Sequence, residues 1–169
     1  KEGDSVRILA VGDLVGESGV NKLKEILPSF RKENNIDFVV VNAENSAGGM
    51  GITERNFKEI LEAGTNVITM GNHTWGKKDI FKFIDHPQII RPANYSEGVV
   101  GKGYTIRKAK DKKIAVINLI GRVDMNILSE NPFLVAKEIV EKIKNDVDMI
   151  FVDFHGEATA EKIAFGYYM

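Results

Sequence analysis

The sequence predicts an α/β domain with a mixed, largely parallel sheet flanked by helices. Three observations carry that expectation. Short apolar runs alternate with segments whose apolar residues recur at helical spacing. The runs are strand-sized, and none approaches the ~18 residues of a membrane span. Glycines and polar residues gather just after the runs, where ligands bind at the edge of a parallel sheet.

Each element follows from local pattern. Residues 6–11 read as a first strand, whose almost continuous apolar character predicts burial on both faces. Val20, Leu23, Leu27 and Phe30 line one face of the next helix, which Pro28 is expected to kink or end. Residues 38–41 form the second strand. Thr53 caps a helix with Phe57, Ile60 and Leu61 inward, and Gly64 is its stop. Residues 67–70 form the third strand, and Ile80, Phe81 and Ile84 mark a short amphipathic helix. Residues 104–107 and 113–118 flank a Lys110-Asp111-Lys112 turn and predict a hairpin. Asn131 and Pro132 supply a cap and a first-turn proline for a helix with Ala136, Ile139, Val140 and Ile143 inward. Residues 149–152 are the last strand, and Thr159 starts a final helix ending near Met169. No repeat, low-complexity stretch or linker interrupts this order, so 1–169 reads as a single domain.

Composition removes whole classes of function. The 169 residues carry 23 Lys+Arg against 24 Asp+Glu, without the positive excess of a general nucleic-acid binder. Cysteine is absent, which excludes disulfides, thiolate zinc, iron–sulfur clusters and a cysteine nucleophile. Any metal must be held by Asp, Glu, Asn, His or backbone oxygen. Residues 1–4 lead into no apolar stretch long enough for a signal peptide, so a cytoplasmic protein without membrane contact is expected.

The chemistry collects at strand ends. Gly12-Asp13-Leu14-Val15-Gly16 follows the first strand, and Asn42-Ala43-Glu44-Asn45-Ser46 with a glycine-rich continuation follows the second. Gly71-Asn72-His73-Thr74-Trp75 follows the third, and Asp153-Phe154-His155-Gly156-Glu157 the last. Taken singly, Asp13 reads equally as a turn or cap residue, Asn45 as a turn residue rather than a ligand, and His73 or His155 as hydrogen-bonded structural histidines. Their conjunction at one sheet edge points further. Two of the chain's three histidines fall there, whereas His86 sits before Pro87 in a polar loop and reads as surface. The mixed oxygen–nitrogen donors suit Mn, Fe or Zn. Two cations about 3.5–4 Å apart would use that many ligands and clamp a phosphoryl group.

These motifs, with Arg7 to Asp13 and Arg91-Pro92-Ala93-Asn94-Tyr95, resemble the YmdB-like branch of the calcineurin-like metallophosphoesterases. The resemblance implies the layered sandwich of that family and a bacterial phosphodiesterase opening 2′,3′-cyclic nucleotides to 3′-nucleotides. It implies that Asp13, Glu44 and Asn45 hold one metal, that Glu44 bridges, and that Asn72 and His155 complete the other. Hydroxide bridging the metals would attack phosphorus, with His73 as the general acid. The family's Gly-Thr-His-Thr-His segment is not in this sequence, so the domain is expected to be incomplete at its C-terminus, with weak metal affinity and poor solubility alone. Arg91 and Arg122 follow strand-like runs (88–90 and 113–118) and are candidates for bidentate phosphate contact, or equally for structural ion pairs. Trp75 is a candidate for base stacking or for packing. The implied partner is a cyclic nucleotide or RNA-end phosphodiester, and a homo-oligomer is left open. Two other classes stay open: a Rossmann-type nucleotide binder, although Gly12 to Gly19 does not match G-x-G-x-x-G, and a non-catalytic regulatory protein.

Overall fold

The computed structural model describes residues 5–169, so the signal-peptide reading of residues 1–4 lies outside the described residues. The chain runs β1 (Ile8–Val11), α1 (Gly16–Glu33), β2 (Phe38–Asn42), α2 (Glu54–Glu62), β3 (Val67–Thr69), a 3₁₀ turn (Lys78–Lys82) and β4 (Ile89–Ile90). It continues through β5 (Tyr104–Ala109), β6 (Lys112–Ile120), α3 (Pro132–Ile143), β7 (Met149–His155) and α4 (Thr159–Tyr168). Strands β1-β2-β3-β4 form one all-parallel sheet. Strands β5 and β6 form the expected hairpin, and β7 joins β6 in parallel.

Strand alternation stacks these sheets into four layers. Phe38, Val40, Val67 and Ile90 of the first sheet meet Ala109, Ile114 and Val116 of the second in a shared inner core. The opposite faces carry Val39, Val41 and Ile68 against α1 and α2. In the second sheet Ala115, Ile117 and Leu119 pack against Ala136 and Ile143 of α3 and Phe165 of α4. Both faces of β2 and β6 are therefore covered, which explains their continuous apolar runs. Both predicted caps form: Thr53 Oγ1 accepts from the Asn56 amide at 3.2 Å, and Asn131 Oδ1 from the Phe133 amide at 2.9 Å.

Several expectations need correction. The catalytic candidates do not share one sheet edge, because β7 belongs to a second sheet facing the first. Strand β1 is an edge strand, part exposed rather than buried on both faces. Helix α1 passes straight through Pro28, which lies on its solvent side while Val20, Leu23 and Leu27 anchor the other. Water can there satisfy the Lys24 carbonyl that the proline leaves without a donor. Phe30 and Phe81 are exposed, not core. His86 is part buried, edge-on to Phe57 at 5.2 Å, and that burial lowers its pKa. Strand β7 extends to His155 because its pairing with β6 continues to Ile120.

Candidate active site

The C-terminal ends of β1, β2 and β3 deliver their polar loops to the place where β7 ends in the facing sheet. Glu44, one residue past the loop start at Ala43, is 1% exposed. Its Oε1 lies 3.1 Å from His155 Nε2, and its Oε2 accepts the main-chain N–H of His73 at 2.9 Å. His155 Nε2 also faces Asn72 Oδ1 at 2.9 Å. On the other side, Asn45 Nδ2 donates to Asp13 Oδ1 at 2.7 Å, and Asn45 Oδ1 meets His73 Nδ1 at 2.5 Å. All six candidates, Asp13, Glu44, Asn45, Asn72, His73 and His155, thus form one connected constellation.

The contacts also order the protons. The Asp13 carboxylate only accepts, so it draws the Asn45 amide nitrogen and turns the amide oxygen to His73. His73 Nδ1 then carries a hydrogen, and Nε2 is the nitrogen left for exchange with a ligand. Asp13 takes a positive φ of 23° to reach this position, a conformation uncommon outside glycine.

The backbone is shaped around the carboxylate. A Cβ on Gly71 would overlap Glu44 Oε2 and come within 2.8 Å of His155 Cγ, so only glycine lets β3 hand over to the loop here. The Gly71 carbonyl accepts from the Thr74 amide at 3.1 Å, and from Thr74 Oγ1 and Tyr95 OH at 2.6 Å each. These bonds tie down the turn that presents Asn72 and His73. Trp75 stacks on Phe81 with centroids 5.6 Å apart and tilts against Tyr95 at 6.3 Å, so its rings serve packing.

Glu44 Oε1 and Asn72 Oδ1, both acceptors, crowd against His155 Nε2, which in its unprotonated form is a third donor atom for a cation. Among the described residues no three Asp, Glu or His side chains by themselves form a metal-holding group. The amides of Asn45 and Asn72 are what join the carboxylates to the imidazoles. The set fits hard or borderline cations.

Arg91 is not placed to receive phosphate. Its buried guanidinium donates to the carbonyls of Pro92 at 2.8 Å, Val99 at 2.8 Å and Val100 at 3.2 Å, clasping the loop before β5. Arg122 is exposed and stands next to Gly121, whose N–H donates to the His155 carbonyl at 2.7 Å.

Behind the constellation lies a buried polar seam between the sheets that was not assigned from sequence. Asn118 Nδ2 donates to the Met70 carbonyl at 2.7 Å, and the Thr69 hydroxyl donates to the Asp153 carboxylate. Its signal was present: Asn118 and Asp153 interrupt apolar strands, and Asn42 and Thr69 end them. Burial raises the Asp153 pKa above the ordinary carboxylate value, opposed by the Thr69 hydroxyl, the charge of His155 and the Asn42 amide. The native state therefore binds this proton more tightly than the unfolded chain does. The stability it contributes is complete below the unfolded pKa and is lost as pH rises through the folded one. In the metal-free protein, Asp153→Asn is expected to flatten that loss. Urea denaturation at about pH 3.5 and about pH 8, on either side of the carboxylate range, measures it.

The chain is similar to known proteins over nearly all of its length. A model of the YmdB-like protein family matches residues 9–169. The 2′,3′-cyclic-nucleotide 2′-phosphodiesterase of Bacillus subtilis is 46% identical over 96% of this chain and 62% of its own length. The crystal structure of a Thermus thermophilus protein superposes with a TM-score of 0.90 at 31% identity, covering 96% of this chain and 63% of that one. A phosphatase of Mycoplasma pneumoniae superposes with a TM-score of 0.89 at 36% identity, over 98% of this chain and 60% of that one. The chain spans under two thirds of the length of each of these relatives. Over nearly all of its residues, in sequence as in fold, the chain belongs to the YmdB-like protein family.

Proposed function

We propose that this chain carries the reaction centre of a phosphodiesterase that converts 2′,3′-cyclic nucleotides to 3′-nucleotides. The constellation closed on Glu44 carries the reading: two carboxylates, two amides and two imidazoles from three loops and the end of β7, joined by hydrogen bonds. The activity named for the Bacillus subtilis relative, 46% identical, supports it.

Asp13, Glu44 and Asn45 would hold one cation, and Glu44, Asn72 and His155 the other, with Glu44 shared; Fe, Mn and Zn all suit these donors. Bound there, such cations supply Lewis acidity, neutralising charge on phosphoryl oxygens and acidifying water. In the net reaction water adds to phosphorus, the bond from phosphorus to the ribose 2′ oxygen breaks, and that oxygen takes up a proton. His73 is the group that delivers it. Imidazole both holds and releases a proton near neutral pH. The Asp13–Asn45 pair fixes the ring through Nδ1, so Nε2 is the atom that gives the proton up. Glu44, by accepting the His73 main-chain N–H, keeps the acid beside the donor set.

The test is product identity. The intact protein, loaded in turn with Fe, Mn and Zn, is incubated with 2′,3′-cyclic AMP and followed by phosphorus NMR. The 3′-phosphate is the expected sole product. Formation of the 2′-phosphate, or no turnover with any of the three metals, rejects the proposal.

A further inference from the structure

The segment between β6 and α3 runs directly off the site and is pinned at its base. Asn94 Oδ1 accepts from the Ile120 amide at 2.9 Å, and Asn94 Nδ2 donates to the carbonyls of Ile120 at 2.7 Å and Glu130 at 2.9 Å. Gly121 is bonded to His155, as described above. The next two residues are then gripped from α4. Glu161, 8% exposed, accepts the Arg122 amide at 2.9 Å on Oε1 and 3.2 Å on Oε2, and Oε2 accepts the Val123 amide at 3.2 Å. A Cβ on Gly121 would overlap this carboxylate, so the turn is seated directly on it.

A buried carboxylate that meets main-chain amides is a strong local anchor, because charge-assisted bonds are stronger than neutral ones. Glu161 meets Arg122 through the main chain, which fixes where the residue stands while its side chain remains exposed. Arg122 directly follows Gly121, whose main-chain N–H donates to the His155 carbonyl at 2.7 Å. Arginine is the side chain best suited to bidentate phosphate recognition, and a fixed backbone lowers the ordering cost of such a contact.

We propose that Glu161 is a positioning residue that holds Arg122 at the rim of the site, where its guanidinium receives the phosphoryl oxygens of the ligand. This rests on the reading of the site as a phosphodiesterase centre. It adds a substrate-binding arm on the second sheet, taking the phosphate-contacting role from Arg91.

The experiment uses the intact, metal-loaded protein and the variants Arg122→Ala, Glu161→Ala, Glu161→Gln and Arg122→Ala/Glu161→Ala. Two quantities are read: the dissociation constant for inorganic phosphate by calorimetry, and kcat and KM for 2′,3′-cyclic AMP. Arg122→Ala is expected to weaken phosphate about 10-fold or more and to raise KM in parallel, with kcat little changed. Glu161→Ala is expected to do the same, and Glu161→Gln, which keeps one acceptor oxygen, to fall between it and the wild type. The double variant should be no weaker than Arg122→Ala alone. Unaltered phosphate affinity in Arg122→Ala overturns the proposal, as does a Glu161→Ala protein that is less stable but binds phosphate normally. Multiplying effects in the double variant, or a wild type that binds no phosphate, overturn it equally. Should Glu161→Ala fail to fold, the decision passes to Arg122→Ala and Glu161→Gln. A wild type that binds phosphate through Arg122 but opens no cyclic nucleotide would reject the proposed function and leave this arm standing.

Discussion

Glu44→Ala is expected to remove metal binding and turnover together. The side chain is 1% exposed and touches both halves of the constellation, His155 through Oε1 and the His73 main chain through Oε2. Removing it deletes the one donor assigned to both cations. It also leaves His73 N–H without its acceptor beside a cavity that Gly71 had kept open for a carboxylate. Loss of an outer partner to a metal ligand typically costs about 10–100-fold in affinity, so loss of the shared ligand should cost at least about 100-fold. Glu44→Gln provides the control for folding. It keeps the shape and can still accept the His73 N–H, yet removes the negative charge. Metal content after dialysis, measured by elemental analysis, should fall in both variants, while the thermal transition of the metal-free Glu44→Gln protein stays near wild type. A Glu44→Gln protein that retained both metals would show that this carboxylate is not the shared ligand.

How far sequence reaches is visible in this same residue. Glu44 stood out because a carboxylate between a strand and a glycine-rich loop contributes little to folding, and strand periodicity placed it at a ligand-binding edge. Position after strand ends grouped the six constellation residues, the family resemblance supplied their roles, and local pattern made both helix caps and the hairpin legible. The second sheet was not. Strand spacing says that 149–152 is extended, but neither period nor composition tells which sheet a strand joins, and β4, with two residues, is too short to show a pattern at all. The arginines failed for a related reason. Position after a strand end is the same for Arg91 and Arg122, and only the fold reveals that one guanidinium is taken up by carbonyls of its own loop. Glu161 carried no local signal, since its partners lie 38 and 39 residues away.

His73→Asn should separate proton delivery from metal holding. The bond from its main-chain N–H to Glu44 does not depend on the side chain, so the turn and the donor set are expected to persist and metal content to remain that of the wild type. Turnover of 2′,3′-cyclic AMP should fall by about 10²–10⁴-fold, the usual contribution of a positioned acid or base. The loss must track the leaving group. Ribose oxygen departs as a poor leaving group and needs the proton, whereas p-nitrophenolate departs readily without one. With bis(p-nitrophenyl) phosphate the same variant should therefore lose far less, and the ratio of the two losses is the measurement that identifies the acid. Equal losses on both substrates in His73→Asn would place the histidine in phosphate binding, and undiminished opening of the cyclic nucleotide would remove it from the chemistry altogether.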